Sequence, residues 1–169
     1  MINKHILRVL KAIVPSDKEI VIVNIGTDRE LFDSVAPLVG TMLREVDTDY
    51  TVYGHMENPI TALNVESWGK FIHEKHEGDF IIGVDACISK SKTIGDTYIR
   101  LEGVKPGSGV GKTLPRIGDV AVLGVIGSNI VEAKLCGFKT VENLASDIVD
   151  TLLEFDRIRR EEEEEVYED

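Results

Sequence analysis

No apolar run in this chain reaches the roughly 20 residues that a membrane-spanning helix requires, so a membrane partner is not expected. Cysteine is scarce: Cys87 and Cys136 are the only two, and they match no metal or redox spacing. Reduced thiols in a cytoplasmic setting are the expectation. Residues 1–15 lack the unbroken apolar stretch and small-residue cleavage site of a secretory signal. They carry Lys4, Arg8 and Lys11 among Ile2, Ile6, Leu7, Leu10 and Ile13, the pattern of an amphipathic helix. Positive charge is also in deficit. Nineteen Lys and Arg face thirty Asp and Glu for a net charge of −11, which argues against a nucleic-acid partner. There is no Pro/Ser-rich linker and no internal repeat. One domain over 1–160 with an acidic tail over 161–169 is the expected organisation. That tail reads as a solubilising, frayed helix end.

Hydrophobic residues make up 43% of the 169, enough for one real core. Buried strand patterns at 19–25, 80–84 and 119–126, a shorter one at 51–56 and a more exposed one at 97–101 alternate with helical patterns. The helices fall at 34–46, 61–75 and 141–160. The order predicts an α/β fold, a three-layer α/β/α sandwich on a mostly parallel, twisted sheet. If the first and third strands are neighbours, a crevice opens at their carboxyl ends, where such folds bind ligands.

Two loops lead to that crevice. Residues 26–34 follow the first strand and residues 85–89 follow the third. Asp85 ends an apolar run, so its carboxylate is expected to be desolvated and its pKa raised. Asp33 precedes a helix N-terminus, whose dipole is expected to favour the ionised form. A pair split in this way holds one proton and can activate water against a carbonyl, without Ser, Cys, metal or cofactor. The structural alternative stays open: Asp33 as a helix cap and Asp85 bonded to amides of its own loop. Asp28 is a reserve candidate for the chemistry, and Asp28 with Arg29 also reads as a local ion pair.

The stretch 106–113, PGSGVGKT, imitates a phosphate-binding loop but fails its context. Pro106 stands where the first glycine belongs, and Pro115 and Gly118 disfavour the helix that carries such a site. A glycine-rich wall over the crevice is the better reading. Lys112 and Arg116 would attract an acidic substrate there. The histidines at 73 and 76 are three apart with no third ligand placed, so a solvated helix end is expected rather than zinc. Cys87 and Trp68 read as packing residues.

Four ordered segments, GTDRELFDSVAPLVG (26–40), VYGHMENPITALN (52–64), VDACIS (84–89) and KPGSGVGKTLPRIGD (105–119), resemble the YyaC-type sporulation proteins, described as spore-protease-like. The resemblance covers residues 19–152. It extends to a wider group holding the spore germination protease, which has a similar Pro-Gly-Ser-Gly-Val-Gly stretch, and the hydrogenase maturation endopeptidases. It implies a peptidase-like hydrolase with Asp33 and Asp85 at the functional aspartate positions. Thr27, Asp28, Arg29, Phe32, Pro106, Gly107, Ser108, Gly109 and Lys112 would lie along the substrate. The implied substrate is a protein or peptide, plausibly a spore protein, met in the cytoplasm of the sporulating cell or forespore. A homo-oligomer is left open. The endopeptidases' third group, a histidine, has no counterpart here, since His55 lies in another segment. Phe32 and Ala36 replace glycines of the relatives. A glycine at 32 would permit φ > 0, so the phenylalanine either fills the cleft or shapes a specificity pocket. Two further functions stay open: a non-catalytic peptide-binding or regulatory protein of sporulation, and, ranked last, a nucleotide-binding switch.

Overall fold

The computed structural model describes residues 1–106, 111 and 113–168. Helix α1 (Lys4–Ile13) begins where the Asn3 side chain accepts from the amides of His5 and Ile6, satisfying donors that a helix start leaves open. It is followed by β1 (Ile20–Asn24), a 3-10 turn (Leu31–Asp33), α2 (Val35–Arg44), β2 (Thr51–Tyr53), α3 (Val65–Lys75) and β3 (Phe80–Ile88). Then come β4 (Thr97–Arg100), β5 (Val120–Gly127), α4 (Ile130–Lys134) and α5 (Phe138–Glu168).

The sheet order is β2-β1-β3-β5-β4. All neighbours are parallel except the β4–β5 pair, which is antiparallel. Every residue of β1 and β5 is buried, as expected of parallel strands covered on both faces. Ile20, Ile22, Ile82, Val84, Val120 and Val122 face a core shared with α1, α2 and α5. Val21, Val23, Ile81, Ala121 and Leu123 face a second core with Val65 and Ile72 of α3. The result is the expected α/β/α layering, with the first and third strands adjacent.

The boundaries differ in instructive places. The third strand does not stop at Val84. It runs to Ile88 because β5 continues beside it as far as Gly127, with a register shift between Cys87 and Ile88. Asp85, Ala86, Cys87 and Ile88 are therefore strand residues, and Asp85 is paired opposite Leu123. Helix α3 starts at Val65 rather than at 61. Residues 61–64 form a turn in which the Asn64 side chain accepts from the Thr61 amide at 2.8 Å, so Leu63, expected inside the helix, is exposed. The short helix α4 is absent from the hydropathy reading. Helix α5 starts at Phe138 and continues to Glu168. The acidic run is helical as far as Glu168 and exposed over 161–167.

An arm covers the α3 face. Val104 and Ile117 exchange backbone hydrogen bonds of 2.8 and 2.9 Å, and both are buried in the second core. A Cβ on Gly83 would stand 2.6 Å from Val104 Cγ2, so the glycine lets the arm lie flat on β3. The reading of 107–110 and 112 as a glycine-rich wall lies outside the described residues.

His76, expected on a solvated helix end, is buried. Its Nδ1 lies 2.8 Å from Asp79 Oδ2 and its Nε2 lies 2.8 Å from the Tyr53 hydroxyl. The relay pins the end of α3 to β2, and Trp68 and Phe71 crowd the same tyrosine ring. His76→Ala would leave the hydroxyl without its partner. It should cost about 1–3 kcal/mol, measured by urea denaturation.

Candidate functional site

β1 ends at Asn24, and Gly26 turns the chain into the loop that carries Asp33. The Gly26 amide donates to the Ile60 carbonyl, and the Thr27 amide donates to the Asp33 carbonyl, both at 2.9 Å. The loop is thus folded back on its own start. A Cβ on Gly26 would stand 2.3 Å from the Asp33 carbonyl oxygen and 2.8 Å from Pro37 Cδ, a separation that only glycine permits. The Ser34 hydroxyl donates to the Leu31 carbonyl at 2.7 Å, closing the 3-10 turn. The turn leads straight into α2, and Pro37 sits in the first turn of that helix, where its missing amide costs nothing.

Asp33 is partly buried on this turn. Its pKa rises from an ordinary 3.8 to about 6, first through burial and then through the charge of Glu30. This corrects the expectation that a helix dipole would lower it. Ser34, not Asp33, is the residue before α2, and the helix has no side-chain cap from it. Desolvation and a like charge therefore win.

Asp85 projects from β3 on the α3 face, in the row Asp85–Leu123–Tyr98 across three strands. Burial pushes its carboxyl well above the usual range, and the charge of Asp33 pushes it further; the Ala86 amide and the Arg100 charge act the other way. Asp33 and Asp85 come from separate segments, and the fold brings them close enough for one to shift the other. Two carboxylates held this way resist carrying two negative charges at once.

The remaining candidates lie on the loop after β1 and on the arm after β4. Thr27 is half-buried, and its hydroxyl accepts from the Arg29 amide at 3.2 Å. Asp28 and Arg29 are exposed on the loop, and among the described residues no ion pair joins them. Phe32 is partly buried and packs against the core shared with α1, α2 and α5. No described non-glycine residue, Phe32 included, adopts positive φ, so the phenylalanine fits the turn without the freedom that glycine offers. Pro106 is buried. Gly107, Ser108, Gly109 and Lys112 lie outside the described residues. Arg116 is drawn to the arm itself. It pairs with Glu102 at 3.1 Å and donates to the Gly103 carbonyl at 3.1 Å.

Two residues that the sequence reading did not place at the site lie beside it. Arg100 and Tyr98 of β4 share the face of Asp85, and the Tyr98 hydroxyl lies 3.5 Å from Cys87 Sγ. The signal available was strand alternation: 98 and 100 share one face of a five-residue pattern. Only the antiparallel pairing with β5 shows which face that is. His55 lies against Arg44, and burial together with the Arg44 charge lowers its pKa. Among the described residues no group of three or more His, Cys, Asp or Glu side chains is arranged to hold a metal ion. No helix among them is long and apolar enough to cross a membrane.

The uncharacterized protein YyaC of Bacillus subtilis (strain 168) is 42% identical over 110 residues, which is 64% of this chain and 54% of that protein. The match thus spans about half the length of the relative. A solved NiFe hydrogenase maturation protease, HycI from Thermococcus kodakarensis KOD1, superposes with a TM-score of 0.47 at 22% identity. The overlap covers 85% of this chain and 98% of that one, and it is too loose to carry chemistry across. The family model described as "Protein of unknown function (DUF1256)" matches residues 1–151, and the chain belongs to that family.

Proposed function

We propose that this protein is a peptidase-like hydrolase that cuts a protein segment, with a spore protein of the sporulating cell as its substrate, and that Asp33 and Asp85 are its acid–base pair. The observation that supports this reading is the coupled pair itself. One carboxyl titrates at about 6. The other is pushed well above the usual carboxylate range by burial and by its neighbour's charge. In this reading Asp33 serves as the base and Asp85 as the acid of the pair. The Asp33 carboxylate takes a proton from a water whose oxygen attacks the substrate carbonyl. The Asp85 carboxylic acid then protonates the departing nitrogen as the C–N bond breaks. The products are a carboxylate and an amine. The proton left on Asp33 returns to Asp85 through solvent and resets the pair.

The resemblance of GTDRELFDSVAPLVG and VDACIS to the spore-protease-like family supports the same two positions and supplies the substrate class. Phe32, which in filling the cleft would favour a non-catalytic peptide binder, packs against the core.

Purified protein incubated with spore-derived polypeptides should release fragments, with an acidic limb in the rate profile near pH 6. Asp85→Asn should lower the rate by a factor of about 100 or more, the scale of a lost general acid. Cleavage that survives both Asp85→Asn and Asp33→Asn would overturn the mechanism.

A further inference from the structure

Helix α1 presents a basic face with nothing opposite it. Its sequence, KHILRVLKAI, contains no acidic residue. Lys4, Arg8 and Lys11 are spaced four and three apart, which places them on one side of the helix, and all are exposed. Among the described residues none of them pairs with a carboxylate. Arg8 has only the His5 ring, whose Nδ1 lies 3.2 Å from its Nη2. This stripe of unanswered positive charge stands on a chain whose net charge is −11.

The complementary stripe is the end of α5. Residues 161–165 are consecutive glutamates, all exposed. Arg157 pairs with Glu161, and among the described residues Glu162, Glu163, Glu164 and Glu165 form no ion pair. Like charges three and four apart on a helix repel one another. Val166 and Tyr167 follow, both largely exposed. The two stripes cannot meet within one molecule. α1 lies beside α5 and runs in the same direction: the Asn3 amide donates to the Thr151 hydroxyl at 2.8 Å, and Arg159 donates to the Pro15 carbonyl at 3.1 Å. Residue 161 therefore lies past the end of α1, and the rest of α5 leads away from Lys4 and Arg8 by about 1.5 Å per residue.

We propose that the basic face of α1 is a docking site for residues 161–167 of a second copy of this chain, and that the exchange is reciprocal. In a two-fold pairing each copy offers one stripe and receives the other, so the contact closes as a dimer. The lengths match: Lys4 to Lys11 spans about 10 Å along its axis, and residues 161–167 span about 9 Å. The aliphatic stems of Lys4, Arg8 and Lys11 give Val166 and Tyr167 apolar surface to cover. An anionic membrane is a poorer match for the same face. Ile6 and Leu10, the apolar side of α1, are fully buried in the core and unavailable for insertion, and the net negative charge of the chain repels such a surface. Exposed ion pairs contribute little each, so the dimer is weak and dissociates in salt. The docking is independent of the hydrolase reading.

Sedimentation velocity of the full chain over a range of concentrations tests this. At low ionic strength the protein should dimerise. At about 1 M salt, where the Debye length falls to about 3 Å, it should be monomeric. The triple variant Lys4→Glu, Arg8→Glu, Lys11→Glu should weaken dimerisation by about tenfold or more. The tail variant Glu162→Lys, Glu163→Lys, Glu164→Lys, Glu165→Lys should do the same. Mixed together, the two variants should pair with each other, because each then carries the stripe that the other lacks. A wild-type chain that stays monomeric at low salt overturns the proposal. So does a dimer that survives both sets of reversals, or a pair of variants that does not associate on mixing. Binding of the wild-type monomer to anionic phospholipid vesicles, lost in the triple α1 variant and without any dimer, would assign the face to lipid and overturn it as well.

Discussion

Gly26→Ala should abolish cleavage and destabilise the fold by about 1–3 kcal/mol or more, although it adds one methyl group and touches no ionisable side chain. The new Cβ would stand 2.3 Å from the Asp33 carbonyl oxygen, well inside contact distance, and it meets backbone rather than a flexible side-chain tip. Pro37 blocks the other direction at 2.8 Å, and its ring is part of α2. The only movement available is to push the 3-10 turn outward. That movement breaks the 2.9 Å bond from the Thr27 amide to the Asp33 carbonyl and carries the Asp33 carboxylate away from Asp85. Misplacement of a catalytic group by about 1 Å can cost a factor of about 100 in rate. Two measurements check this: a denaturation midpoint and the Asp85 titration curve. Asp85 should titrate lower in the variant, because the neighbouring charge that raised it has moved away. A variant that keeps its stability, its cleavage rate and its Asp85 midpoint would show that the loop yields elsewhere.

Asp33→Asn should also abolish cleavage but make the protein more stable at neutral pH. The sign follows from proton linkage. Below pH 3.8 the Asp33 carboxyl is protonated in the folded and unfolded chains alike. As pH rises through the interval from 3.8 to about 6, the unfolded chain gives up the proton while the folded chain retains it, so folding loses free energy. Above about 6 the loss is complete. Asparagine has no proton to lose and escapes it. Asp33 keeps some contact with water, which screens the effect, so a gain on the order of 1–2 kcal/mol at pH 7 is expected. The difference from wild type should shrink toward pH 4. Thermal melts at pH 7 and pH 4 measure it. Equal melting temperatures at pH 7, or a difference that persists unchanged at pH 4, would contradict a burdened carboxyl at this position.

The alternation of strands and main helices was readable from hydrophobic runs and their spacing; the adjacency of the first and third strands, which brings the loops of Asp33 and Asp85 to one end of the sheet, was only a condition there and is supplied by the strand order. What escaped depends on partners distant in sequence. β3 extends through Asp85 because β5 runs beside it, and nothing within 80–88 announces that neighbour. Asp33 titrates upward because burial and Glu30 outweigh any helix dipole, and burial is a property of the packed loop. His76 reads as an exposed residue in a charged stretch until Tyr53, 23 residues earlier, comes within reach of its ring. Arg100 is similar. Its strand was recognisable, but the face it presents is set by antiparallel pairing, and an edge strand reached through a long connection gives no local sign of direction. Phe32 illustrates the opposite case. Its replacement of glycine suggested an obstruction, yet a 3-10 turn at negative φ accommodates the ring against the core.

Helix α5 determines how the molecule can be held. Its 31 residues extend about 46 Å. Burial ends at Asp156, and residues 161–167 are exposed. Arg159 donates to the carbonyls of Pro15, Ser16 and Lys18 just before β1, and Arg160 pairs with Asp47 and Asp49 just before β2. The acidic end of the helix therefore leaves the molecule at the amino ends of the strands, opposite the carboxylate pair. A surface or fusion partner attached through this helical handle would grip the protein from behind. The sheet end that carries Asp33 and Asp85 would then face outward.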